Sequence, residues 1–182
     1  MTCVITFISR NKDNADVLGF KSRSKSFLVP TVNEKALMDK FHTFVKEGVK
    51  GEFCRFYMAI NDTDEKKVKR DLAKFLIDEA ITPTDWSITD LNKKVVSLAS
   101  LPQNKVTKKW LFDCDTTYER TCAFVDEVID KTGVFVEYIG KTPHGYAVIV
   151  SRGFDTREIL KNYPDIELKK DAPLCFAWEA NL

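Results

Sequence analysis

Net charge is what this sequence has least of: 28 Lys and Arg stand against 27 Asp and Glu, for a formal +1. Attachment to nucleic acid by bulk phosphate neutralisation normally shows a larger basic excess, so any such contact must come from a local surface. Glycine and proline are scarce, 7 and 6 in 182 residues, which excludes collagen-like, low-complexity and largely disordered chains. No apolar run approaches the ~18 residues of a membrane helix. The first ten residues lack the basic-then-apolar layout and small-residue cleavage site of a secretory signal. A soluble, cytoplasmic protein with no membrane partner is therefore expected. The five cysteines are odd in number and none forms a C-x-x-C pair, which argues against a zinc ribbon or a disulfide framework. Cys54 and Cys175 lie in apolar, strand-like runs, where a reduced thiol serves as a small hydrophobe.

What is present is a 44% hydrophobic chain, enough for one core, so residues 1–182 are expected to form a single domain. Residues 4–8 read as a strand, residues 10–26 as a polar, basic loop, and residues 26–29 as a short strand stopped by Pro30. Thr31 with Glu34, and Asp62 with Glu65, have the spacing of capping boxes that open helices. The first helix places Leu37, Phe41, Phe44 and Val45 on one face; the second places Val68, Leu72, Phe75 and Leu76 there. Between them, residues 53–60 alternate as a strand with Cys54, Phe56, Met58 and Ile60 on one side, and a further helix is expected over 89–101. These elements form an N-terminal αβ unit, residues 1–108.

From Lys109 onward the order is β-α-β-β-α-β. The strands fall at 110–112, 134–140, 146–150 and 166–168, the helices at 117–131 (inner face Cys122, Val125, Val128, Ile129) and 156–163, with one more strand at 174–178. The predicted class is α+β, with a ferredoxin-like, RNA-recognition-like core over 109–182. In that topology the first two strands are parallel, because a helix joins them. The turn at 142–145 then lies at the same end as Asp113 and Asp115, and Asp165 comes near.

Asp113 and Asp115 alternate at a strand end and so project to one side, where their repulsion is relieved by a hard divalent cation. Mg²⁺ or Mn²⁺ held there would bridge substrate phosphates, the logic of metal-assisted phosphoryl transfer. The plainer reading makes Asp115 a helix N-cap and leaves Asp113 solvated. Around Pro143 and Gly145, the turn offers Lys141, Thr142 and the amides of His144 and Gly145 as candidate nucleotide-binding groups, against the plainer reading of an ordinary hairpin. Lys66 to Arg70 and Lys169-Lys170 read as solvated faces. Lys21, Arg23 and Lys25 are better placed to meet a phosphate. Phe135, Tyr138 and Tyr146 are assigned to packing before base stacking.

The strand ending in Asp113-Cys114-Asp115, the helix, and Thr142-Pro143-His144-Gly145-Tyr146 between two strands resemble the archaeo-eukaryotic primase superfamily, most of all its small phage members. The resemblance runs over roughly residues 53 to 178. It implies a primase-like nucleotidyltransferase fold that binds nucleotide or nucleic acid with a divalent metal. Asp113 and Asp115 would be its metal-binding catalytic acids, and Asp165, Glu167 or Asp171 its third acid. The family's small-spacer-histidine motif is placed at the strand after the turn, where Ala147 stands instead of histidine. Two alternatives share these residues. One is a non-catalytic nucleic-acid-binding or protein-interaction module. The other is a haloacid-dehalogenase-like phosphatase, whose nucleophile motif Asp113-Cys114-Asp115-Thr116-Thr117 also fits, though too little chain follows to build the usual parallel sheet.

Overall fold

The computed structural model describes residues 2–182 as an α+β fold built on two four-stranded antiparallel sheets. The chain runs through β1 (Cys3–Ser9), β2 (Arg23–Val29), α1 (Glu34–Lys46), β3 (Phe53–Met58), α2 (Glu65–Ile81) and α3 (Leu91–Ser100). It continues through β4 (Trp110–Cys114), α4 (Tyr118–Thr132), β5 (Val136–Lys141), β6 (Tyr146–Val150), α5 (Arg157–Leu160), β7 (Ile166–Lys170) and β8 (Leu174–Ala180). Among the described residues no helix is long and apolar enough to cross a membrane.

The first sheet has the order β2-β1-β3-β8 and the second β5-β6-β4-β7. In the second, β6 and β7 both run antiparallel to β4, and β5 runs antiparallel to β6. Strands β4 and β5 are therefore parallel, joined through α4 and split by β6; β6 and β7 are parallel, joined through α5 and split by β4. The expected unit 109–182 lends its last strand away, since β8 pairs with β3. The β2 strand begins three residues earlier than expected, at Arg23, because residues 23–29 pair in full register with Ser9 to Cys3.

The second sheet buries one face under helices, whereas the first is covered by α1 on one face and, over Val4 and Leu28, by α2 and α3 on the other. Phe7, Cys54 and Phe56 of the first pack on Leu37, Phe41, Phe44 and Val45 of α1, the stripe the sequence spacing gave. A fully buried side chain of this size contributes roughly 1.5–3 kcal/mol, so this cluster anchors the N-terminal unit. Phe112, Cys114, Val148 and Val150 of the second sheet pack on Phe124, Val125 and Val128 of α4. Ile129, expected on that inner face, is 43% exposed, and Phe124 takes the place beside Phe112. Both expected capping boxes are displaced by two residues. Asn33 accepts from the Ala36 amide and Asp64 from the amides of Lys66 and Lys67. Asn and Asp cap as well as Thr does and stand directly before the first helical turn, so they prevail over Thr31 and Asp62.

The sheets meet where Leu111, Ala147 and Ile149 pack on Leu174 of β8, with Ile60 and Phe176 at the margin. Asn61, 2% exposed, secures the approach to β4. Its amide nitrogen donates to the Lys109 carbonyl at 3.1 Å, and its oxygen accepts from the Lys109 amide at 2.8 Å and from Thr107 at 2.9 Å. Asn61→Ala strips partners from two backbone groups at once. Leaving such groups unsatisfied costs about 1–3 kcal/mol each. Urea denaturation of the variant is expected to show a loss of about 3 kcal/mol. A loss below about 0.5 kcal/mol, the range of ordinary surface changes, would mean that the clamp is redundant.

Candidate functional site

The second sheet turns the alternate face of β4, with Leu111 and Asp113, toward the first sheet. Register fixes the neighbours of Asp113: Ala147 on β6 and Glu167 on β7 stand directly across from it. The 142–145 turn lies at this same end, for Cys114 pairs with Tyr146. Gly145 is required there by crowding, not by a positive φ. A Cβ at this position would collide with the Cys114 carbonyl oxygen and lie 3.0 Å from the Thr116 nitrogen. The turn is thus pressed onto the backbone of the acidic strand end, and its Thr142 amide closes on the Gly145 carbonyl at 2.9 Å.

A cavity of about 300 Å³ opens between the sheets at this point. The second sheet contributes Leu111, Asp113, Asp115, Thr142, His144, Ala147 and Lys169. The first sheet and its leading loop contribute Arg10, Lys12, Arg55, Tyr57 and Cys175. Four of the sequence-selected residues, Asp113, Asp115, Thr142 and His144, therefore share one wall. Lys141 is exposed and Gly145 lies beneath the turn; neither lines the cavity. Asp115 is not the helix cap, because the Thr117 hydroxyl caps α4 by accepting from the Arg120 amide. Nor is Asp113 simply solvated, since Lys169 bonds its carboxylate and stands 3.5 Å from Glu167. That bond raises the Lys169 pKa.

Asp165 reaches the acidic strand end through its backbone, whose carbonyl accepts from the Asp115 amide at 3.1 Å. Its carboxylate faces away, taking two bonds from Arg120 at 2.6 and 2.9 Å. Asp171 accepts from Asn61 at 3.3 Å. Among the three candidates for a third acid, only Glu167 stands across from Asp113. Ala147 is on the cavity's wall but is 2% exposed and belongs to the apolar inter-sheet contact. The imidazole in the cavity is that of His144.

The basic wall was not legible as a site in the sequence. Arg55 is 6% exposed, and its Nη2 donates to Asp13 at 2.6 Å and to His144 Nε2 at 3.2 Å. A guanidinium only donates, so Nε2 accepts and the ring proton of His144 sits on Nδ1. Burial opposes the charge on Asp13, but hydrogen bonds from Arg10 and Arg55 hold its pKa below the ordinary carboxylate value. Arg23, expected to meet phosphate, is instead bound to Glu52 at 2.6 Å and lies over the Phe44 ring. Lys169, expected in a solvated face, is in the cavity because it shares Asp113's side of the sheet, one alternation along β7 from Glu167.

Other chemistry finds little support here. Burial pushes the Cys175 thiol up to about 11, so it is protonated near neutrality and a poor nucleophile. Among the described residues no three His, Cys, Asp or Glu side chains are grouped to hold a metal by themselves. Of the three aromatics assigned to packing, Tyr146 packs on Tyr118 at 5.4 Å, whereas Phe135 and Tyr138 are 70% and 36% exposed; the aromatic in the cavity is Tyr57. No family model, curated protein or solved structure matches the chain.

The Asp165–Arg120 pair yields a pH signature. Its hydrogen bonds hold Asp165 at about 2, below the ordinary 3.8. A depressed carboxylate contributes stability that is fully present above the ordinary value and is lost as pH falls toward 2. Thermal melts between pH 5 and pH 2 should therefore fall more steeply for the wild type than for Asp165→Asn. Parallel curves would show that solvent screening cancels the pair.

Proposed function

We propose that this chain is a primase-like protein of nucleotidyltransferase fold that binds nucleotide or nucleic acid in the inter-sheet cavity, with Mg²⁺ or Mn²⁺ at Asp113 and Asp115. One observation carries the reading: the acidic strand end, the Thr142–His144 turn and a cationic wall converge on the same cavity. The strand order β5-β6-β4-β7, with its two interleaved crossovers, supports a ferredoxin-like core. Thr142-Pro143-His144 itself has the order small residue, spacer, histidine, which moves that motif from position 147 to the turn. The phosphatase alternative needs parallel strands around its aspartate, whereas β4 is antiparallel to both neighbours.

Two carboxylates suit Mg²⁺, which completes its shell with water and substrate phosphates rather than with a full protein cage. Asp113 and Asp115 would hold the ion, which would neutralise charge on those phosphates. The Lys169 ammonium already neutralises Asp113, so it must swing aside before Asp113 can take a metal. Thr142 and His144 would orient the phosphate end of the ligand from the turn. The Lys169–Asp113 bond also favours a second reading, a non-catalytic binding module in which the lysine stands permanently where a cation would.

Thermal unfolding in Mn²⁺ tests the site. At a hundredfold excess over the dissociation constant, binding stabilises by ~2.7 kcal/mol. The Asp113→Asn, Asp115→Asn double variant should lose that gain, and Lys169→Met should show a larger shift than wild type at equal Mn²⁺. Equal shifts in all three proteins would leave the carboxylates as surface charges. Template-directed nucleotide incorporation that needs both acids identifies an enzyme; Mn²⁺ and nucleotide binding without incorporation identifies the module.

A further inference from the structure

We infer that the first sheet contributes a phosphate subsite of its own, anchored by Arg55 and completed by Lys12, Arg10 and His144, which grips a polyphosphate or terminal phosphate without a metal. The inference deepens the nucleotide-binding reading and rests on it for the class of occupant. Arg55 is more than nine-tenths buried, and its side chain lines the cavity. Its hydrogen bonds all run through Nη2, while Nε is buried with no partner at all. A buried, charged donor left unsatisfied is costly, and folded proteins rarely keep one without a reason. The Arg55 guanidinium at the cavity wall therefore keeps donors to spare for an oxyanion there.

Charge decides the kind of oxyanion. Arg10, Lys12, Arg55 and Lys169 line the cavity against Asp113 and Asp115. Lys169 is already committed to Asp113, and Asp13 compensates only part of the Arg10 and Arg55 charge from behind. The excess lies on the first-sheet side, away from the two acids. A guanidinium with several free donors suits a multiply charged phosphate better than a monoanionic carboxylate. His144 adds a donor from the opposite wall, since its proton is on Nδ1. At about 300 Å³ the cavity is at the small end for ligand sites, so the phosphates enter and the base stays outside. Affinity should therefore follow the number of phosphates and ignore the identity of the base.

The phosphate can come from a nucleoside triphosphate or from the 5′ end of a nucleic acid strand, and calorimetry in EDTA separates the two. The probes are inorganic tripolyphosphate, the four deoxynucleoside triphosphates, and one oligonucleotide with and without a 5′-phosphate. Wild type should bind tripolyphosphate and all four nucleotides with similar affinity. Binding of the oligonucleotide that needs its 5′-phosphate, with tripolyphosphate bound weakly, assigns the subsite to strand ends. Arg55→Met should weaken phosphate binding about ten- to hundredfold, the scale of lost charge-assisted hydrogen bonds. Lys12→Glu, at an exposed position, should weaken it about tenfold, and it decides the matter if Arg55→Met does not fold. The Asp113→Asn, Asp115→Asn variant should bind phosphate in EDTA at least as well as wild type. Undiminished binding in both basic variants, or none by wild type in EDTA, overturns the subsite. In the latter case a Mn²⁺ shift that still needs Asp113 and Asp115 leaves the metal reading standing.

Discussion

The return of β8 to the first sheet is the constraint on which the cavity depends. Eight helices and strands separate β3 from β8, yet the chain leaves the second sheet's edge so that β8 pairs with β3, while Leu174 and Phe176 press on Leu111, Ala147 and Ile149 of the second sheet. One strand therefore satisfies its backbone in one sheet and buries side chains against the other. A register shift between Phe56 and Tyr57 lets both happen, for a bulge re-aims side chains where a regular ladder would hold them to one alternation. Beside this contact the sheets diverge, and the gap is walled by Arg55, Tyr57 and Cys175 on one side and by Asp113, Ala147 and Lys169 on the other. Without β8 crossing over, the acidic and basic walls would belong to separate surfaces.

Placing those walls face to face creates an electrostatic problem that the protein solves locally. Asp13 stands behind the basic wall and is shared by Arg10 and Arg55; Lys169 reaches over to Asp113. Arg10, Arg55 and Lys169 thus each have a partner of opposite sign, the condition for keeping charges out of bulk water. The residue left incompletely paired is Arg55, whose Nε has no acceptor. Structural ion pairs usually satisfy their members fully, so this unfinished one at a cavity wall is the feature on which the proposed phosphate contact rests.

How far the sequence carries depends on whether a signal is local. The second sheet was readable because its helix–strand alternation dictates crossovers, and crossovers dictate which strands are parallel. That placed the turn beside Asp113, as the Cys114–Tyr146 pairing shows. The destination of β8 was not readable, since nothing between Leu174 and Ala180 states which of two sheets holds its partner. Arg55 sits in an alternating apolar strand and gives no sign that its face lines a cavity; Asp13 lies 42 residues away, so their pairing is tertiary. Lys169 was misread because a Lys-Lys pair resembles a solvated face, although strand alternation sends the two lysines to opposite sides. Nothing local in the sequence states why position 145 is glycine; the nearness of the Cys114 carbonyl, which excludes a side chain, is a tertiary fact.

The division of labour between the sheets has a thermodynamic consequence. The apolar contact joining them centres on four buried side chains, Leu111, Ala147, Ile149 and Leu174, far fewer than either sheet buries under its own helices. A ligand touching both walls adds its binding free energy to this small interface, because it binds the closed arrangement and not a separated one. The same linkage works in reverse: sheets held more firmly together keep Arg55 and Asp113 at a fixed separation, which lowers the ordering cost of binding. The Arg55–His144 bond is a polar bridge across the cavity that already joins the two walls, running from β3 to the turn between β5 and β6. A phosphate entering between them would draw on donors from both sides, so ligand affinity and inter-sheet rigidity in this fold are two measures of one set of contacts.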